Sequence, residues 1–167
     1  MNLKERERNL GHLLKEATIM LLLREDEVLL AMKKRGFGVG KWNGVGGKLN
    51  NGETILETAV RETEEEIMVT PENIEEMAVM NYFFPSITDE NVSGQRVHVF
   101  VARKWTGDPQ ETEEMQPRWF KTSEIPYSEM WCDDLIWMPK VLNGEYVSGS
   151  FLFGNKEEIL EYYLEKD

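Results

Sequence analysis

The chain has 167 residues, a formal net charge of −12, 41% hydrophobic residues and one cysteine. That length suits a single domain able to bury roughly two thirds of the surface its unfolded chain exposes, and the acidic balance argues against a general duplex-binding protein, which carries a basic face. No apolar run approaches the ~18 residues of a membrane span, the start has no apolar secretory segment, and lone Cys132 excludes an internal disulfide framework and suits a reducing cytoplasm.

In chain order, residues 1–15 read as a charged helical extension ahead of one domain over 16–167. Two apolar runs, Ala17–Leu23 and Val28–Met32, flank the polar Arg24-Glu25-Asp26-Glu27 and predict a β-hairpin. Gly36, Gly38, Gly40, Gly44, Gly46 and Gly47 then argue against regular structure. Lys33, Lys34, Arg35, Lys41 and Lys48 gather among these glycines, a local excess of positive charge in an acidic chain. A helix follows: Thr54 and Glu57 fit a capping box, Leu56, Val60, Thr63 and Ile67 fall on one stripe, and Pro71 closes the region. Met77–Phe84, Arg96–Trp105 and Arg118–Phe120 read as strands and Asp133–Leu142 as a short helix. Tyr146–Phe153 looks like a strand, while Lys156–Glu165 fits either state. His12 reads as a surface residue and His98 as a strand residue, neither with a catalytic case.

The helix after the glycines carries the chemistry. On its wheel Glu65 lies about 60° to one side of Glu62 and Glu66 about 40° to the other, so three carboxylates share one sector beside the apolar stripe. Their repulsion amounts to a few tenths of a kcal/mol per exposed pair, and an oxygen-seeking dication relieves it; Mg²⁺ takes carboxylates, water and phosphates as ligands. A glutamate run alone is usually a solvated face. A glycine-rich loop entering a capped helix with this cluster can instead hold metal and phosphate side by side. Arg61 has Glu57 and Glu65 four residues away on either side, as ion-pair partners that fix carboxylate orientation.

Gly47, Glu53, Arg61, Glu62, Glu65, Glu66 and Val69 stand at the spacing of the Nudix box, and the chain resembles the Nudix hydrolases. Thr63 replaces an apolar residue of that box and sits on the core stripe, where its hydroxyl can bond back to a carbonyl. Met68 replaces the glycine that ends the family's helix, so the helix must terminate without the usual left-handed glycine. The resemblance extends from Thr18 to the C-terminus through Lys33–Lys48, Val97–Phe100, Glu114–Phe120, Met130–Asp134, Trp137 and Phe151–Gly154. Over these runs the chain looks like the animal MutT branch of the family.

The resemblance implies an α+β fold, an α/β/α sandwich on a mixed β-sheet. It also implies water attack on a bridging phosphorus of a nucleoside triphosphate, releasing monophosphate and pyrophosphate. Glu62, Glu65 and Glu66 are the expected metal set for Mg²⁺, with Mn²⁺ as an alternative and Glu114 and the carbonyl of Gly46 or Gly47 as further ligands. One of these glutamates, or Glu114 from a distant loop, is the expected base. Lys48 and Lys33 are expected to meet the phosphates. The resemblance carries recognition of an oxidised purine to Asn43, Asp133, Asp134 and Trp131, with Phe37 as a wall and Thr18 lining the pocket. Asn offers donor and acceptor, and a carboxyl pair can share a proton. The bland readings are a helix N-terminus for Asp133-Asp134, a core role for Trp131 and an incidental thiol for Cys132. A Nudix enzyme for other nucleotides, including ordinary or methylated purine triphosphates and dinucleotides, stands as the alternative. A catalytically silent nucleotide- or protein-binding module stands behind it and would have lost box carboxylates, which are present here. The expected partner is a small nucleoside triphosphate, with no nucleic acid and no membrane, and the protein is expected to be a cytoplasmic monomer.

Overall fold

The computed structural model describes residues 2–36, 38–84 and 94–165. Helix α1 (Leu3–Leu10) opens the chain, capped by Asn2 in a reciprocal capping box with Glu5. Strands β1 (Lys15–Arg24) and β2 (Glu27–Lys33) form the expected antiparallel hairpin, with Leu23 opposite Val28. After the two-residue strand β3 (Trp42–Asn43) comes α2 (Ile55–Ile67), then β4 (Thr70–Glu72), β5 (Glu75–Phe83), β6 (Gly94–Ala102), β7 (Lys104–Thr106) and β8 (Met115–Lys121). Helix α3 (Asp134–Leu142) leads into β9 (Val147–Phe153) and β10 (Ile159–Leu164). The Lys156–Glu165 stretch, open between two states in the sequence, is therefore a turn followed by a strand.

The main sheet runs β10-β9-β5-β6-β1-β2-β3, with β8 also paired to β2, and β4 pairs β7 in a small separate sheet. It is mixed: β1 lies parallel to β6 and β5 parallel to β9, while β5–β6, β9–β10 and β2–β8 are antiparallel. Side chains alternate across a strand, and β1 divides accordingly. Ala17, Leu21 and Leu23 join a core containing Trp137, Met138 and Val141 of α3. Met20 and Leu22 join a second core containing Ala59 and Ile67 of α2. A strand buried on both faces needs a continuous apolar run, which explains the sequence of β1. The single-domain α+β sandwich read from the sequence is the observed fold.

The buried stripe of α2 differs in phase from the wheel reading. Thr58, Ala59, Thr63, Glu66 and Ile67 are buried, whereas Leu56 is 45% exposed. Ile55 takes the packing place against the core instead. Both departures from the box have structural answers. The Thr63 hydroxyl donates to the Ala59 carbonyl at 2.7 Å, so a buried hydroxyl is satisfied within its own helix. Met68 adopts φ 63°, ψ 34° and caps the helix in the left-handed region that glycine usually fills.

Helix α1 packs on the sheet. Leu3 is buried with Leu14, Phe83 and Leu152, and Glu7 accepts from Ser150 and Tyr163 hydroxyls. Arg96 continues this polar seam, donating to Glu16, Asn81 and the Gly11 carbonyl. No helix among the described residues is long and apolar enough to cross a membrane.

Candidate active site

The glycine loop lies along β1 because Gly44, Gly46 and Gly47 have no side chains to hold it away. Thr18 N–H donates to the Gly47 carbonyl at 2.9 Å and Met20 N–H to the Val45 carbonyl at 2.6 Å. A Cβ on Gly46 would stand 1.7 Å from the Thr18 carbonyl oxygen, and one on Gly47 would stand 2.4 Å from the Glu62 carboxyl. The loop is thus pressed between the strand and the helix that bears the carboxylates. Close approach, rather than a positive φ, is what these two glycines supply.

The helix enters from its capping box. Thr54 accepts from Glu57 N–H while the Glu57 carboxylate accepts from Thr54 N–H. That engagement removes Glu57 from the role expected beside Arg61. The Arg61 guanidinium instead donates to Glu53 at 2.6 and 3.1 Å, Glu62 at 3.0 Å, Glu65 at 3.2 Å and the Lys48 carbonyl at 3.2 Å. Only Glu65 of the expected pair is a partner. Glu53, eight positions before Arg61, is the anchor that the i±4 rule cannot show. The bond to Arg61 holds the Glu53 carboxyl down at about 2.

The three box carboxylates do not face one environment. Glu65 is exposed, Glu62 is half-buried, and Glu66 is 5% exposed, accepting from Gly46 N–H at 3.3 Å. Burial pushes the Glu66 carboxyl up to about 8, with the charges of Glu62 and Glu114 adding and the Gly46 N–H and Lys33 opposing. Among the described residues no three acidic, histidine or cysteine side chains form a ready metal cage, and Arg61 bridges Glu62 and Glu65. The donor set nevertheless fits a hard dication. Glu66 is a buried carboxyl with one hydrogen bond and two anionic neighbours, and every candidate donor is oxygen. The Gly47 carbonyl already accepts from Thr18 N–H, with the Thr18 hydroxyl 3.5 Å away. Glu114 sits beyond the box, exposed, with Arg35 at 3.4 Å.

A cavity of about 810 Å³ joins this loop to the base-reading candidates. Thr18, Lys33, Gly46, Gly47 and Lys48 line it together with Asn43, Trp131, Asp133 and Asp134. Phe37, expected as a wall, lies outside the described residues. Asn43 turns its Oδ1 to Gly44 N–H at 2.8 Å, so its amide NH₂ is the group left to offer. Trp131 is half-buried, with Lys41 5.0 Å above its ring, and is not a core residue. Asp133 precedes α3 but makes no side-chain cap bond. Both aspartates are 3% exposed, and burial raises both carboxyls, Asp134 further through the charge of Asp133. The pair therefore stands at the N-terminus of α3, as the bland reading has it, without a side-chain cap bond from Asp133.

The NUDIX domain model matches residues 13–140. The chain belongs to the Nudix family. It is 40% identical over 149 residues to the oxidized purine nucleoside triphosphate hydrolase of Danio rerio, covering 89% of this chain and 93% of that one. The protein of the same description from Mus musculus is 40% identical over 150 residues, with 88% and 92% covered. A mutator MutT protein from Bacillus halodurans superposes with a TM-score of 0.80 at 29% identity, covering 92% of this chain and 99% of that one. Nudix hydrolases as a family use divalent metal ions, and the Nudix box of this chain keeps its glutamates.

Sequence reasoning missed Tyr82 and Glu157 and gave Lys41 only a place in the basic cluster; all three line the same cavity. Lys41 pairs with Glu157 at 3.3 Å across its rim. Trp137, four residues after Asp133, was legible as an i,i+4 neighbour. Tyr82 and Glu157 come from other strands and turns and left no local signal.

Proposed function

We propose that the protein hydrolyses oxidised purine nucleoside triphosphates, of the 8-oxo-dGTP and 2-oxo-dATP type, to the monophosphate and pyrophosphate, acting as a cytoplasmic monomer that cleanses the nucleotide pool. The observation that carries this reading is the pair of buried, adjacent carboxyls, Asp133 and Asp134, in a cavity that the Nudix glycine loop also lines. Ordinary phosphate chemistry does not need such a pair, because buried carboxyls repel phosphate; a purine edge bearing donors and acceptors does need it. Relatives carrying that activity in their description match the chain over most of its length, which supports the same substrate class.

Glu62, Glu65 and Glu66, with the Gly46 carbonyl, would hold Mg²⁺ or Mn²⁺. A dication held there would supply neutralisation of phosphate charge and a lowered pKa for bound water. Lys33 and Lys48 receive the phosphates from the cavity wall, and Arg61 keeps the box carboxylates oriented. The base is drawn from the box glutamates or Glu114. Trp131 stacks on the purine, while Asn43, Asp133 and Asp134 read its edge beside Thr18. The test is product analysis on parent and oxidised triphosphates with Mg²⁺. Preferential release of monophosphate and pyrophosphate from the oxidised forms supports the reading, and equal turnover of the parent nucleotides contradicts it.

A further inference from the structure

Tyr82 projects from β5 into the wall of the same cavity, stacked on Phe151 at 5.3 Å and Phe153 at 5.9 Å. Its hydroxyl lies 2.6 Å from Asp133 Oδ2, and the Trp137 indole N–H donates to that same oxygen at 2.9 Å. An indole nitrogen only donates. Burial holds the Tyr82 phenol well above its ordinary value, so it keeps its proton. The hydroxyl also lies 3.6 Å from the Met80 thioether, a weak acceptor, with Trp137 beside it. Two donors converging on one oxygen are what a carboxylate satisfies.

The neighbouring carboxyl is less well supplied. Among the described residues Asp134 Oδ2 is buried without a hydrogen-bond partner, although Trp137 favours its charged form too. Two adjacent buried anions are costly, so the pair carries one proton. The cation that acts on Asp134 is Lys41, and it is drawn towards Glu157 at 3.3 Å and the Trp131 ring at 5.0 Å. Tyr127 and Cys132, the remaining titratable groups that sense the pair, are both held in their neutral forms by burial.

We propose that Tyr82 is a positioning residue that sets base specificity, its hydroxyl holding Asp133 as the acceptor of the pair and so leaving Asp134 as the donor. The inference rests on the base-pocket reading above. A purine edge that places an acceptor at Asp134 and a donor at Asp133 is read directly. An edge with the reverse order requires the proton to change carboxyls against the Tyr82 and Trp137 bonds. Six-keto and six-amino purines have these opposite orders, because a keto oxygen accepts where an amino group donates.

The test is kcat/KM for 8-oxo-dGTP and 2-oxo-dATP on the wild type, Tyr82→Phe, Asp133→Asn and Asp134→Asn. Tyr82→Phe keeps the stacked ring and removes only the donor. We expect the ratio between the two substrates to move about tenfold towards unity, the size of one hydrogen bond to a charged group. Asp134→Asn retains a donor and should keep the wild-type preference, while Asp133→Asn places a donor where the acceptor was and should reverse it. A purely structural role for Tyr82 would scale both substrates equally. An unchanged ratio in Tyr82→Phe, with either aspartate variant altering it, overturns the proposal and leaves the base-pocket reading standing. An unchanged ratio in all three overturns both.

Discussion

The Arg61 guanidinium reaches back eight residues to grip Glu53, 2.6 Å from Nε to Oε2, while its other nitrogens hold Glu62, Glu65 and the Lys48 carbonyl. One side chain therefore ties the glycine loop, the helix entry and the box carboxylates together. Lysine cannot reproduce this, since an ammonium is a point charge rather than a planar fork. Arg61→Lys and Arg61→Gln should each lower kcat at least tenfold, with KM for the nucleotide less affected, and should lower Tm. Steady-state kinetics beside a thermal melt check this; wild-type kcat in Arg61→Lys would show that the contacts to Glu62 and Glu65 do not orient the site.

Glu66 gives the metal-free protein a pH signature. Its folded value of about 8 lies above the ordinary 4.5 because of burial. Between those values the native state holds a proton that the unfolded chain has released, so stability is full below about 4.5 and falls as pH rises through about 8. A dication bound to the carboxylate reverses the penalty. Added Mg²⁺ should therefore raise Tm more at pH 8 than at pH 5, and Glu66→Gln should flatten the metal-free pH dependence. Melts across that range with and without Mg²⁺ are the check; an equal Mg²⁺ effect at both pH values would remove Glu66 from the metal set.

Met68 ends helix α2 with φ 63° and is 57% exposed. A side chain in the left-handed region costs roughly 1 kcal/mol relative to glycine, and little packing is at stake. Met68→Gly should keep activity and leave stability unchanged or raised by up to about 1 kcal/mol, net of the extra freedom of the unfolded glycine. Chemical denaturation measures it. A loss above about 1 kcal/mol would mean that the methionine packs against the core.

Local patterns carried the hairpin, the capped helix and most strands, because each depends on neighbours in sequence. The Thr54–Glu57 box and the Thr63 back-bond are of this kind. The face of α2 was harder: a wheel places Leu56 on the stripe, but the sheet beneath admits Ile55 and Ala59 and leaves Leu56 outside. The carboxylate cluster was legible as a sector, while its division into exposed Glu65 and buried Glu66 depends on the loop that Gly46 and Gly47 press against β1. The aspartate pair was readable through family resemblance alone. Its partners, Tyr82 from β5 and Lys41 from the glycine loop, are brought together by the topology of the sheet.

The most direct test of the central claim is kcat/KM, with Mg²⁺, for 8-oxo-dGTP and 2-oxo-dATP against dGTP and dATP, on the wild type and Glu66→Gln. We expect monophosphate and pyrophosphate as products and an oxidised-over-parent preference of at least about tenfold, the size of one good hydrogen bond. We also expect a loss of turnover by orders of magnitude in Glu66→Gln, with the fold retained. Comparable values for oxidised and parent nucleotides, or near-wild-type turnover in Glu66→Gln, would contradict the account.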